Sequence, residues 1–165
     1  MATVRAATSG DTAFIEEMLV EALNWDPQRA RLRRDRAMAV PANRHYVEGW
    51  PRDSDAGVVA EDERGQPIGA AWFRLFDASD PGYGFVAEDI PEVAIGVRSG
   101  RRGEGVGDTL LTELENEARR RSLRGLSLSV EIANPALSLY RRHGYREVTR
   151  AGATCTMVLD LDLST

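Results

Sequence analysis

The sequence predicts a single mixed α/β domain, and three observations carry that prediction. Short apolar or alternating runs are interspersed with segments of helical period, in the order β-α-α-β-β-β-α-β-α-β-β. A chain of 165 residues with 42% apolar residues is long enough to enclose one full core. No repeat, linker or low-complexity tract divides it, so residues 1–165 read as one domain.

The elements follow from local chemistry. Val4 to Ala6 predict a short first strand. Ser9 or Asp11 can cap the next helix, whose apolar stripe is Phe14, Ile15, Met18, Leu19, Ala22 and Leu23. Pro27 ends that helix or begins another, because its ring does not fit a helix interior. Residues 28–49 permit helix but are irregular, with Pro41 in their middle. Val58 to Glu61 and Ile68 to Phe76 read as a hairpin closed by the turn Asp62-Glu63-Arg64-Gly65-Gln66. Asp77 to Asp89 is a loop rich in Gly, Asp and aromatics, and Pro91 to Val97 is the strand after it. From Val106 a helix buries Val106, Leu110, Leu111, Leu114 and Ala118, and spaces Glu115–Arg119 and Glu117–Arg121 for exposed ion pairs. Leu126 to Val130 alternates as a strand. Asn134-Pro135 opens a short helix, proline being suited to a first turn, and Gly144 marks its end. Tyr145 to Val148 and Thr154 to Leu161 are the final strands. The alternating face Cys155, Met157, Leu159 and Leu161 reads either as core or as the interface of a homodimer.

Composition narrows the function classes. A net charge of −5 argues against a nucleic-acid partner. The basic segment Arg29 to Arg36 reads as the solvated face of a helix. No apolar run approaches the roughly 20 residues that span a membrane, and the first residues lack the apolar core of a secretory signal. The single cysteine, Cys155, excludes an internal disulfide and reads as an inert strand residue. These features suit a cytoplasmic protein with neither membrane nor nucleic-acid partner. His45 and His143 form no ligand cluster, so no metal is expected, and His143 reads as a surface residue.

The most informative stretch is Val97-Arg98-Ser99-Gly100-Arg101-Arg102-Gly103-Glu104-Gly105-Val106-Gly107-Asp108, where a strand gives way to a glycine- and arginine-rich loop and then to a helix. Glycine lets a backbone approach a ligand closely, and a helix start adds unpaired N–H donors and partial positive charge. Together these make a cradle for a pyrophosphate. The loop is no P-loop, because Gly107-Asp108-Thr109 lacks the lysine. It is no dinucleotide fingerprint either, since that would open the first βα unit.

The pattern Arg102-x-x-Gly105-x-Gly107 resembles the acetyl-CoA loop of the GNAT N-acetyltransferase superfamily. One helix and one strand later, Asn-Pro-Ala-Leu-Ser-Leu-Tyr-Arg-Arg-His-Gly-Tyr at 134–145 resembles that superfamily's second signature, with Asn134, Ala136, Leu139, Tyr140, Gly144 and Tyr145 in its positions. The order and separation of the two make the resemblance strong from Glu92 to Tyr145; the first half of the chain matches only in its order of elements.

The resemblance implies a GNAT fold: a mixed, mostly antiparallel sheet flanked by helices, whose strands around Val97 and Leu128 splay to admit acetyl-CoA. It implies that the pantetheine arm pairs with the backbone of Ile95, Gly96 and Val97, and that the pyrophosphate meets Arg102, Gly103, Glu104, Gly105, Val106, Gly107 and Asp108. Asn134 then reaches the pantetheine amides, although it also reads as a helix N-cap. Tyr140 would protonate the departing thiolate, or else serve as a core aromatic. Glu92 would take the proton of an acceptor amine, or else be a solvated strand-end charge. Glu88 and Asp89 could attract a cationic acceptor. Trp25, Trp72, Tyr83 and Phe85 are candidates for the acceptor pocket, and nothing in the sequence names the amine. Two other classes stay open at this point: a module that holds an acyl-CoA without turnover, and a nucleotide-binding protein that uses the loop for ATP.

Overall fold

The computed structural model describes residues 2–162. Strands β1 (Thr3–Ala6), β2 (Ala56–Glu61), β3 (Pro67–Arg74), β4 (Glu92–Val97), β5 (Gly125–Glu131), β6 (Arg146–Ala151) and β7 (Thr154–Asp160) form one sheet in the order β1-β2-β3-β4-β5-β7-β6. All neighbours are antiparallel except β4 and β5. Helices α1 (Thr12–Leu23), α2 (Arg34–Ala39) and α3 (Pro41–Arg44) lie on one side, and α4 (Val106–Arg120) and α5 (Ala136–Arg142) on the other.

Strand alternation builds a core on each face. Val58, Ala60, Phe73, Val93, Leu126 and Leu128 pack against Val106, Leu110, Leu111 and Leu114 of α4. Val59, Ala70 and Trp72 turn the other way, to Ile15, Met18 and Leu19 of α1 and to Tyr46 beyond α3. Gly96 lets α1 close on β4: a Cβ there would lie 2.1 Å from the Met18 carbonyl oxygen.

Several expectations change. A 3-10 turn, Ser9–Asp11, precedes α1 and is capped by Thr8; Asp11 stands at the N-cap position of α1, as expected, but its side chain makes no cap bond to that helix. The Thr8 hydroxyl accepts from the Gly10 N–H, and the Asp11 carboxylate turns back to the Thr8 N–H. Asp11 is further occupied by Arg5, at 2.8 Å on both oxygens. Residues 28–33 are not helical; Arg29, Arg31 and Arg34 reach separate carboxylates, on Glu131, Glu21 and Glu16. β3 ends at Arg74, whose buried guanidinium grips Asp55 and the His45 and Glu48 carbonyls, while Phe76 folds into the α1-side core. Cys155, Met157, Leu159 and Leu161 are all buried in this chain's own core, which removes that face as an interface. Glu117 pairs with Arg121 at 3.1 Å as spaced, but Glu115 is buried and meets His143 instead of Arg119.

The consequential feature lies at β4–β5. β4 pairs with β3 over all six positions, but with β5 only at Glu92↔Ser127. Beyond that pair the two strands part, as the resemblance implied. Gly84 packs against β5 just there, where a Cβ would fall 2.5 Å from the Leu128 carbonyl carbon.

Candidate functional site

The gap between the parted strands is a cleft of about 700 Å³. Its β4 wall is Glu92 to Val97, its β5 wall Leu128 to Glu131, and α5 and the glycine loop close the far side. Past Glu92, one backbone edge of β4 has no strand partner among the described residues, which leaves amide groups free to pair with an extended polar chain.

At the glycine-loop end, Gly103 (φ +81°) and Gly105 (φ +84°) adopt left-handed backbone, Gly105 as the residue that caps α4. The backbone N–H groups of residues 103–108 donate to no partner among the described residues. This is an anion cradle built of main chain, with the α4 dipole behind it. A Cβ on Gly105 would meet nothing within 4 Å, so its requirement is conformational. Gly105→Ala is expected to cost about 1–2 kcal/mol, read as a lower denaturant midpoint at unchanged slope. Arg102 sends its guanidinium to the Glu21 carbonyl and carboxylate, at 3.2 and 3.3 Å, tying the loop to α1. The Glu104 side chain turns to Arg101 and does not line the cleft.

Glu92 sits where the strands divide, 3% exposed. One carboxylate oxygen accepts the Tyr46 hydroxyl and the other the Gly84 N–H at 3.1 Å. The Tyr46 hydroxyl in turn accepts from the Tyr83 N–H at 2.7 Å. Burial pushes the Glu92 carboxyl up to about 7, against the pull of those two hydrogen bonds. Burial and the Glu92 charge push the Tyr46 phenol well above its usual range. Glu92 is thus no solvated strand end but a buried carboxyl poised near neutrality.

Tyr140 lies across the gap, on the α4 side of the sheet, and also lines the cleft. Its hydroxyl makes no hydrogen bond among the described residues, and burial holds the phenol above its usual range. Asn134 accepts the Ala136 N–H at 2.9 Å and so caps α5 while lining the cleft. His143 fastens α5 to α4, correcting its reading as a surface residue: Nδ1 lies 2.9 Å from Glu115 and Nε2 2.7 Å from Asp108. Burial opposes its charge, but those two bonds prevail and raise its pKa.

The acetyltransferase (GNAT) family profile matches residues 12–145, most of the chain and both signatures. The chain belongs to the acetyltransferase (GNAT) family. The GNAT fold is borne out by solved structures. The ribosomal-protein-alanine N-acetyltransferase of Brucella melitensis is 28% identical, with a TM-score of 0.68 over 96% of this chain and 99% of that one. An N-acetyltransferase of Staphylococcus aureus Mu50 is 21% identical, with a TM-score of 0.68 over 98% and 99%. The PaiA N-acetyltransferase of Thermoplasma acidophilum, solved in complex with coenzyme A, is 14% identical, with a TM-score of 0.66 over 97% and 99%. No curated protein matches the chain.

Within this GNAT domain the α1-side residues fall partly elsewhere than expected. Trp25 and Tyr83 line the cleft. Trp72 does not; it is fully buried and donates to the Tyr46 carbonyl at 3.0 Å. Phe85 packs into the α1-side core. Glu88 and Asp89 are exposed outside the cleft, Asp89 paired with Arg124 at 2.5 Å. Tyr46, Asn43 and Glu131 line the cleft without having been singled out. Tyr46 falls in the irregular 28–49 segment, and only the fold brings it to Glu92, 46 positions away. Among the described residues no helix is long and apolar enough to cross a membrane, and no group of three His, Cys, Asp or Glu could hold a metal.

Proposed function

We propose that this protein is an acetyl-CoA-dependent N-acetyltransferase of the cytoplasm, acting on a primary amine of a small molecule or of a protein or peptide. One observation carries the proposal: the cleft has a buried carboxyl, Glu92, on one sheet face and an unpaired phenol, Tyr140, on the other, with a main-chain anion cradle at its end. The parted strands suit a ligand that is a polar chain with an anionic head. Ile95 to Val97 would hold the amides of the chain, and the N–H groups of residues 103–108, with Arg102, would hold the pyrophosphate. Acetyl-CoA supplies an acetyl group activated as a thioester.

The chain's own residues then have three tasks. The cleft brings amine and thioester together. Glu92, as the carboxylate, takes a proton from the ammonium so that a nitrogen lone pair is free. Tyr140 gives its proton to the leaving sulfur from the opposite face. Because Glu92 and Tyr140 face different sides of the sheet, the acceptor approaches over the α1 face.

Calorimetry with acetyl-CoA, together with thiol release across small amines, aminoglycosides, amino acids and N-terminal peptides, tests the proposal. Absence of acetyl-CoA binding at high micromolar ligand overturns it. Binding without thiol release over the panel replaces it with an acyl-CoA-binding module. Arg102→Glu sets a carboxylate beside the cradle and opposite Glu21. It should weaken acetyl-CoA binding by about 10–100-fold, the worth of one charge-assisted contact.

A further inference from the structure

Charge is divided within the cleft. The arginines that line it, Arg101, Arg102 and Arg142, belong to the glycine loop and α5. Toward the α1 face, where the acceptor would enter, the one basic side chain that lines the cleft among the described residues is Arg102, whose guanidinium Glu21 already holds at 3.3 Å. That face presents Glu92 on β4 and Glu131 on β5. Glu131 stands four residues beyond Ser127, the partner of Glu92, so the strand places the two about 13 Å apart along one sheet face. Three rings line the same cleft: Tyr46 bonded to Glu92, Tyr83 beside Tyr46, and Trp25 bonded to Glu131. Tyr83 is 55% exposed, with its ring stacked on Tyr46 and its hydroxyl fixed to Asn43 at 2.9 Å.

Glu131 is held but not used up. One carboxylate oxygen takes the Trp25 indole N–H at 2.5 Å and Arg29 at 3.0 Å. The other accepts no hydrogen bond among the described residues. Arg29 is an exposed partner, also shared with Asp26 and set 5.1 Å over the Trp25 ring, and exposed pairs of this kind are worth little. An ammonium can therefore take its place. A carboxylate or phosphate on the acceptor would lie beside two glutamates, where the nearby guanidiniums, Arg29 and Arg102, are already held by Glu131 and Glu21.

We propose that the acceptor is a doubly cationic amine, with one nitrogen at Glu92 and a second ammonium received by Glu131 after passing the Tyr46, Tyr83 and Trp25 rings, which favour cations. This rests on the acetyltransferase reading, which places the reacting nitrogen at Glu92.

Three amines of one chain length test it: 1,8-diaminooctane, octylamine and 8-aminooctanoic acid. Their far ends are cationic, neutral and anionic. Thiol release with acetyl-CoA should give kcat/KM highest for the diamine, about tenfold above octylamine, and lowest for the amino acid. Glu131→Gln should shrink the diamine-to-octylamine ratio by about tenfold, chiefly through the diamine KM. Glu131→Lys should reverse the order of diamine and amino acid, and circular dichroism confirms that each variant is folded. Equal or better turnover of octylamine or the amino acid by the parent protein overturns the inference, as does an unchanged ratio in Glu131→Gln. If none of the three is turned over while acetyl-CoA still binds by calorimetry, the acceptor class is wrong and the donor site stands. If acetyl-CoA does not bind, the acetyltransferase reading falls with it.

Discussion

Tyr140→Phe is expected to lower kcat by about 10²–10⁴, the range for loss of one acid–base group, with little change in acetyl-CoA affinity. The ring is 7% exposed and packs edge-to-face on Tyr145, with centroids 5.9 Å apart, and phenylalanine preserves that packing. The hydroxyl gives up no hydrogen bond among the described residues when removed, so stability should change little. A phenol held above its usual range stays protonated through neutral pH. It can donate to sulfur only as charge gathers there, which makes its effect one on kcat. Tyr145→Phe is the matched control. That hydroxyl is buried, unpartnered among the described residues, and does not line the cleft, so its removal should leave turnover intact. Steady-state kinetics on the best acceptor, with calorimetry for acetyl-CoA, checks both. Turnover of Tyr140→Phe at the parent rate makes Tyr140 a packing residue and leaves thiolate protonation to water or substrate.

The donor half of the cleft was legible in the sequence because its determinants are local. Gly103 and Gly105 are needed where the chain turns left-handed, and their spacing to the α4 stripe is visible without a fold. The same holds for Asn134, whose cap on α5 is a two-residue interaction. The acceptor half was legible only in part, through Glu92, Trp25 and Tyr83, because its other determinants are long-range. Glu131 meets Trp25 and Arg29 across more than a hundred residues. Glu92 owes its character to Tyr46 and to the loop at Gly82 and Gly84. A Cβ on Gly82 would lie 2.1 Å from the Glu92 carboxylate, so these glycines serve contact, not turn geometry. Ion-pair spacing misled at Glu115 for a related reason. Helical period identifies Arg119 as a neighbour but not the histidine that α5 brings from position 143, within reach of a buried carboxylate. The hydrophobic pattern located the strands to within three residues, the largest miss being β6, which runs on past Val148 to Ala151. That pattern alone could not say that β4 and β5 would part after Glu92↔Ser127; only the family resemblance implied it.

Glu92→Gln should depress the rate most below pH 7 and recover as pH rises, with two distinct signatures. In the parent, the rate should climb with pH through about 7, as Glu92 loses its proton and becomes able to take one. The variant should lack that inflection and regain activity only as the acceptor amine itself deprotonates in solution. The second signature is stability. The folded-state pKa of Glu92 lies above the ordinary carboxyl value of 4.5, so the folded protein holds this proton more tightly than the unfolded chain. The resulting stability is fully present below about pH 4.5 and is lost as pH rises to about 7, a loss of about 3 kcal/mol for a group so placed. Glutamine does not titrate, so the variant's stability should fall less over that window. The difference between parent and variant removes the contributions of His143 and Glu115, which are also raised and act in the same direction. Glutamine accepts the Tyr46 hydroxyl or the Gly84 N–H but not both, which subtracts about 1–3 kcal/mol at every pH without altering the slope. Denaturant melts of both proteins from pH 4 to 8 decide the matter. Parallel stability curves would mean that folding leaves the Glu92 carboxyl at its ordinary value, and a base poised at neutrality would have to be sought elsewhere in the cleft.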